Sequence, residues 1–219
     1  MQEEVDRDNS KQKARPLARK ISKSYLQNAG LYYLQRFTAS EGHFKTVIRR
    51  KIDRSLRDHA EPELNICLTW LDEVASSFVE AGYLDDKRYA KGLVESLQLR
   101  GRSLNQMRAR LKQAQIAPEL IESTIDAHLK TIAESLDVSD MPSNWPQNTA
   151  NVVEYIAALK CAKRRRIGPF SVLSRTEKPH DKALAILARN GFSYETAQII
   201  LQTDHGEAEA FLRYARSVL

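Results

Sequence analysis

Two cysteines in 219 residues, Cys67 and Cys161, are too few and too far apart to staple a fold or to hold zinc. Neither sits in a CxxC pair or near a histidine pair, so both read as reduced, half-buried helix residues. No apolar run approaches the roughly 18 residues of a membrane span. The opening stretch MQEEVDRDNSKQKARP lacks the apolar region of a secretion signal, which makes the expected location cytoplasmic. Missing too are GxxxxGK, GxGxxG, HExxH and GxSxG, and the five histidines are scattered. The missing phosphate loop argues against nucleotide hydrolysis, and nothing points to a cofactor, a metal or a catalytic residue. A binding protein is expected rather than an enzyme, although a nuclease built from scattered acids would leave no such motif.

Alternation of β-branched and polar residues is absent as well. Apolar residues recur instead at spacings of three and four, as in Leu104, Met107, Leu111 and Ala114, which lays one stripe along a helix. Leu64, Leu68, Leu71, Ala75, Phe78 and Val79 make a second stripe, and Val153, Ile156, Ala157, Lys160 and Cys161 a third. The fold class is all-α. The 42% hydrophobic content suffices for ordinary cores. Polar, charged residues 1–16 read as a disordered tail, and 137–150, with two prolines among Ser, Asn and Asp, as a linker.

Laid against itself, the chain repeats. A shift of 76 residues pairs Leu111–Ile125 with Leu187–Leu201, matching Leu111 with Leu187, Ile116 with Phe192 and Glu119 with Glu195. A shift of 63 pairs Ser40–Arg50 with Ser103–Gln113, matching Ser40 with Ser103 and Phe44 with Met107. The implied unit has three helices, the second opened by serine, and such units stack because none buries its apolar face alone. The expected division is a divergent first repeat at 17–60, a second at 61–136, and a third at 151–219 that includes a C-terminal helix.

The stretch GYLDDKRYA, Gly82 to Ala90, tests the binding reading, because Asp85 and Asp86 could be a catalytic pair. Gly82 suits the left-handed residue after a helix, and Asp85 the N-cap of the next. Asp86 at the first helical position complements the helix dipole, and Leu84 and Tyr89 fall where a hydrophobic staple would close. Consecutive side chains on a helix do not face each other, so the two acids do not converge on one substrate atom. Gly191 and Phe192 take the corresponding turn position in the third repeat.

Positive charge is what remains. The net charge is +6, from 34 Lys and Arg against 28 acids, and the excess is clustered. Residues 96–118 hold Arg100, Arg102, Arg108, Arg110 and Lys112 and no acid. Residues 43–57 hold six basic residues, Arg49 and Arg50 among them, against Asp53 alone, and residues 160–178 hold seven, including Arg164, Arg165 and Arg166, against Glu177 alone. One cluster per repeat predicts a shared basic face for phosphates or an acidic protein surface. Arg108 and Lys112, four apart, are expected to share the side of their helix away from Leu104 and Met107.

GYLDDKRYA, the RGRS at 100–103 with the basic helix after it, RRRIGPF at 164–170 and NGFSYETAQIIL at 190–201 together resemble the successive repeats of the RecX regulatory proteins, over about residues 25–203. The first repeat is only loosely similar, and the turn AQIAP at 114–118 lacks the glycine of NGF at 190–192. The resemblance implies a non-enzymatic modulator of the RecA recombinase, built as an elongated, curved array of tandem three-helix units. It further implies binding in the groove of the RecA filament on DNA, with inhibition of ATPase, strand-exchange and coprotease activities. The partners it implies are the RecA filament and single-stranded, secondarily double-stranded, DNA without sequence preference, engaged by a monomer. Arg100, Arg102, Arg108, Arg110 and Lys112 would be central contacts, with Arg49, Arg50, Arg164, Arg165 and Arg166 flanking. The alternative is a helix-turn-helix transcriptional regulator, which calls for a basic recognition helix after the turn. Here that helix carries Glu119, Glu122 and Asp126.

Overall fold

Ten α-helices and one 3-10 turn make up the regular structure of the described residues in a computed structural model of the chain, which describes residues 17–135, 145–146, 148–171 and 180–218. The expected tail at 1–16 and most of the expected linker lie outside the described residues. In chain order the helices are α1 Lys23–Leu34, α2 Glu41–Leu56, α3 Leu64–Glu80, α4 Asp86–Leu99, α5 Leu104–Gln113, α6 Pro118–Ser135, α7 Thr149–Arg165, α8 His180–Arg189, α9 Tyr194–Gln202 and α10 His205–Val218, with the 3-10 turn at Gly168–Phe170 between α7 and α8. Their starts follow from side-chain caps. Ser22, Ser40, Asp85, Ser103, Asn148 and Ser193 each accept a hydrogen bond from a backbone N–H of the first turn they precede.

Helices α1, α2 and α3 enclose one core, in which Phe44 and Phe78 meet edge to face with ring centroids 5.6 Å apart. The buried stripe of α3 is Cys67, Leu71, Val74, Ala75 and Phe78, while Leu64 and Val79 of the expected stripe are exposed. Because α3 packs on α1 and α2, it closes the first unit, whereas the sequence division ended that unit at residue 60 and gave 61–80 to the second. The apolar pattern of α3 shows which face is buried and is silent about which neighbour buries it.

A second core runs without interruption from α4 to α10. Its axis is α7, which has nine buried residues from Val152 to Ala162 and is packed by α6, α8, α9 and α10. Near its start, Trp145, Tyr155 and Phe211 stack edge to face.

The internal repeat is visible in the backbone. Gln115 and Gly191, 76 residues apart, both have positive φ, +59° and +80°. In each turn the residue after them donates back into the helix, Ile116 N–H to the Leu111 carbonyl and Phe192 N–H to that of Leu187, as a Schellman closure requires. The missing glycine of AQIAP therefore costs strain and not topology.

These turns also join the units. Ser40, fully buried at the start of α2, donates its hydroxyl to the carbonyl of Ala114 in the α5–α6 turn. Ser103, equally buried at the start of α5, donates to the carbonyl of Asn190 in the α8–α9 turn at 2.8 Å. A carboxylate completes each joint: Asp86 of α4 accepts from Glu41 N–H at 2.8 Å, and Glu154 of α7 accepts from Leu104 N–H at 2.6 Å. The same serine-and-carboxylate joint thus links the first unit to the second and the second to the third.

Candidate basic interface

The paired acids at 85 and 86 resolve into two structural roles. Asp85 caps α4 by accepting from Arg88 N–H at 2.9 Å, and Asp86 turns the other way to the joint with α2. Leu84 is buried in the first core while Tyr89 rests against the second, so the expected staple pair is divided between the two cores. Gly82 has φ +74° directly after α3. Among the described residues no group of His, Cys, Asp and Glu is placed to hold a metal ion.

Burial raises the carboxyl pKa of Asp86 above the usual range, against the lowering effect of the Glu41 N–H. Burial likewise raises that of Glu154, opposed by the Leu104 N–H and by Arg108. One oxygen of Glu154 is buried without a hydrogen-bond partner. These groups belong to the joints.

The guanidinium groups sort by what neutralises them. Arg108 is held bidentately by Glu122 of α6, with Nε and Nη2 each 3.0 Å from a carboxylate oxygen. It is a brace between α5 and α6, a partner that the sequence reading of Arg108 with Lys112 did not include. Glu122 lies 14 residues ahead in the chain, beyond the reach of helix-spacing arguments. Lys112 is exposed and makes no ion pair among the described residues. Arg49 is likewise engaged, by Asp53 one turn on at 2.8 Å, while Arg50 is exposed.

On the opposite flank of α5, Arg102 and Arg110 line a cleft of about 270 Å³ with Gln106 and Gln113. Arg100 closes α4 just before them, and its carbonyl accepts from Arg164 Nη1 at 3.4 Å. Between Arg100 and Arg102, Gly101 lets α7 approach so closely that an added Cβ would lie 2.8 Å from the Cβ of Lys160. Tertiary packing thus brings Arg100, Arg102, Arg110 and Arg164 around one turn, from two successive units.

A second cleft of about 260 Å³ continues the patch, lined by Lys160, Lys163, Arg164 and Arg216. Burial lowers the Lys160 pKa, and Arg216 nearby lowers it further. Lys163 pairs with Glu209, while Arg164 and Arg216 make no ion pair among the described residues. Arg216, on the C-terminal helix, escaped the sequence reading because it lies outside every basic run; its only signal was the amphipathic spacing of Phe211, Leu212 and Ala215 around it. Arg164 and Arg165 end α7, and Arg166 caps it with φ +54°, so these three belong to a helix end.

No helix among the described residues is long and apolar enough to cross a membrane. Residues 85–125, from the cap of α4 into α6, match the family model described as RecX, second three-helix domain. A protein named Regulatory protein RecX from Myxococcus xanthus is 30% identical over 198 residues, covering 90% of this chain and 95% of that protein. One of the same name from Agrobacterium fabrum is 27% identical over 206 residues, covering 94% and 96%. No solved structure matches the chain.

Proposed function

Because the chain belongs to the RecX family of regulatory proteins, we propose that it binds RecA filaments assembled on DNA and restrains their ATPase, strand-exchange and coprotease activities without chemistry of its own. It acts as a monomer in the cytoplasm, and its partners are the filament and the DNA within it. The observation that carries this reading is the gathering of Arg100, Arg102, Arg110 and Arg164 around the α4–α5 turn, with no ion pair among the described residues to neutralise them. Guanidinium forks left free in this way suit phosphate oxygens and carboxylates. The exposed Arg50, Lys112, Arg165 and Arg166 are the proposed flanking contacts, together with Arg49 and Arg108, whose guanidinium groups are ion-paired with Asp53 and Glu122. No observation favours a transcriptional regulator, since α6, the helix after the turn, carries Glu119, Glu122 and Asp126.

The test is RecA's hydrolysis of ATP on single-stranded DNA, titrated with wild-type protein and with Arg102→Glu combined with Arg110→Glu. Wild type should slow hydrolysis. The double reversal should need at least about tenfold more protein, equivalent to about 1.4 kcal/mol of binding, at unchanged helicity. Equal potency in a folded double variant would remove this face from the function, and a wild type without effect on RecA would end the reading.

A further inference from the structure

The first unit carries a basic cleft apart from the face just described. We infer that this cleft, formed by Arg19, Lys51, Arg54 and Arg57, is a binding site for the phosphodiester backbone of single-stranded nucleic acid. It encloses about 540 Å³ between the N-terminal segment and α2, with Tyr25 of α1 on its wall and no carboxylate among the described residues that line it. The segment is fastened in place. Ala18 N–H donates to Asp58 at 2.7 Å, and the Ala18 carbonyl lies 2.7 Å from His59 Nε2, so Arg19 is held over the end of α2 by two bonds to residues just past it.

The contrast within α2 selects this cleft. Lys45 is held by Glu41 and Asp72, and Arg49 by Asp53. Lys51, Arg54, Arg57 and Arg19 make no ion pair among the described residues. Four cations facing one concavity repel one another, and an anionic ligand relieves that cost. Lys51, Arg54 and Arg57 recur every three residues, which advances them about 4.5 Å per step along the helix axis. That is a line of charge along a groove and suits a linear polyanion better than a lone carboxylate, and arginine forks match phosphate oxygens in pairs.

The inference rests on the DNA half of the proposed function and is tested apart from RecA. Binding of a fluorescent oligothymidylate is measured across a salt series for wild type, for Arg54→Gln with Arg57→Gln, and for Lys45→Gln. Each phosphate contact on a single strand contributes about 0.7 to the slope of log affinity against log salt. The double variant should lose about 1.4 from that slope, and Lys45→Gln, whose charge Glu41 and Asp72 already offset, should keep the wild-type value. Arg19→Gln, outside any helix, should lose about 0.7 and carries the test if the α2 variant is unstable. An unchanged slope in both variants, or no oligonucleotide binding by wild type, overturns the site. So does a slope held at the wild-type value while affinity for DNA-free RecA falls, which would assign the cleft to an acidic protein surface. Loss of RecA inhibition by wild type with the slope differences intact would instead end the RecA reading and leave the site standing.

Discussion

A buried carboxylate is where a single residue has the most leverage on this protein. Glu154 reaches from α7 to cap the backbone of Leu104 in the neighbouring unit, and burial holds its pKa above the ordinary glutamate value of about 4.3. A raised pKa means that the folded state binds the proton more tightly than the unfolded chain does. The stabilising contribution is therefore complete below about pH 4.3 and is lost as pH rises through the raised value. Glu154→Gln keeps the acceptor for Leu104 N–H and removes the charge. Its melting temperature should exceed that of wild type at pH 7, and the difference should close as the pH approaches 4. A difference independent of pH would show that shape, and not ionisation, sets the cost. Asp86, raised for the same reason at the other joint, titrates alike in both proteins and cancels.

Helix ends carry the assembly at the scale of elements. Gly82 and Gly191 occupy equivalent left-handed positions, yet their surroundings differ. A Cβ on Gly82 would meet nothing within 4 Å, whereas one on Gly191 would lie 2.6 Å from Ser103 Oγ, the hydroxyl that caps α5 and bridges to Asn190. Gly82→Ala should cost only the left-handed strain, about 1 to 2 kcal/mol. Gly191→Ala adds the loss of a buried hydrogen bond, a further 1 to 3 kcal/mol or so, and should speed amide exchange at the start of α5. Urea unfolding of the two variants checks this, and equal costs would mean that the joint yields without loss. Glycine spacing alone marks both residues as helix stops. The neighbour that makes one of them a joint is 88 residues away in the chain, and no local pattern encodes it.

For the whole molecule, two cores meet through polar joints, and that division has a measurable consequence. Cys67 lies in the first core and Cys161 in the second, both buried and unpaired. Thiol labelling in rising urea should therefore expose them at separate midpoints, because apolar burial, the main cooperative term, is not shared between the cores. Coincident midpoints would show that Ser40, Asp86 and Gln115 couple the units as firmly as a common core. The joint is extensive enough to make this a real question: Gln115 Nε2 also donates to Thr46 of α2 at 2.8 Å.

Helix periodicity, capping residues and the internal repeat are properties of short stretches of chain, and they determined the all-α class and the starts of α2, α4 and α5, while the order of the quoted motifs carried the family resemblance. Charge runs located the basic clusters for the same reason. Which charges stay free was decided only by tertiary structure, since Glu122 reaches Arg108 from another helix and Gly101 admits α7 beside Arg100. The assignment of α3 to the first unit and the cleft roofed by Arg19 were also invisible in the sequence. Ion pairing and packing depend on distances between residues far apart in the chain, and a one-dimensional pattern carries the sign of each charge but not the identity of its neighbour.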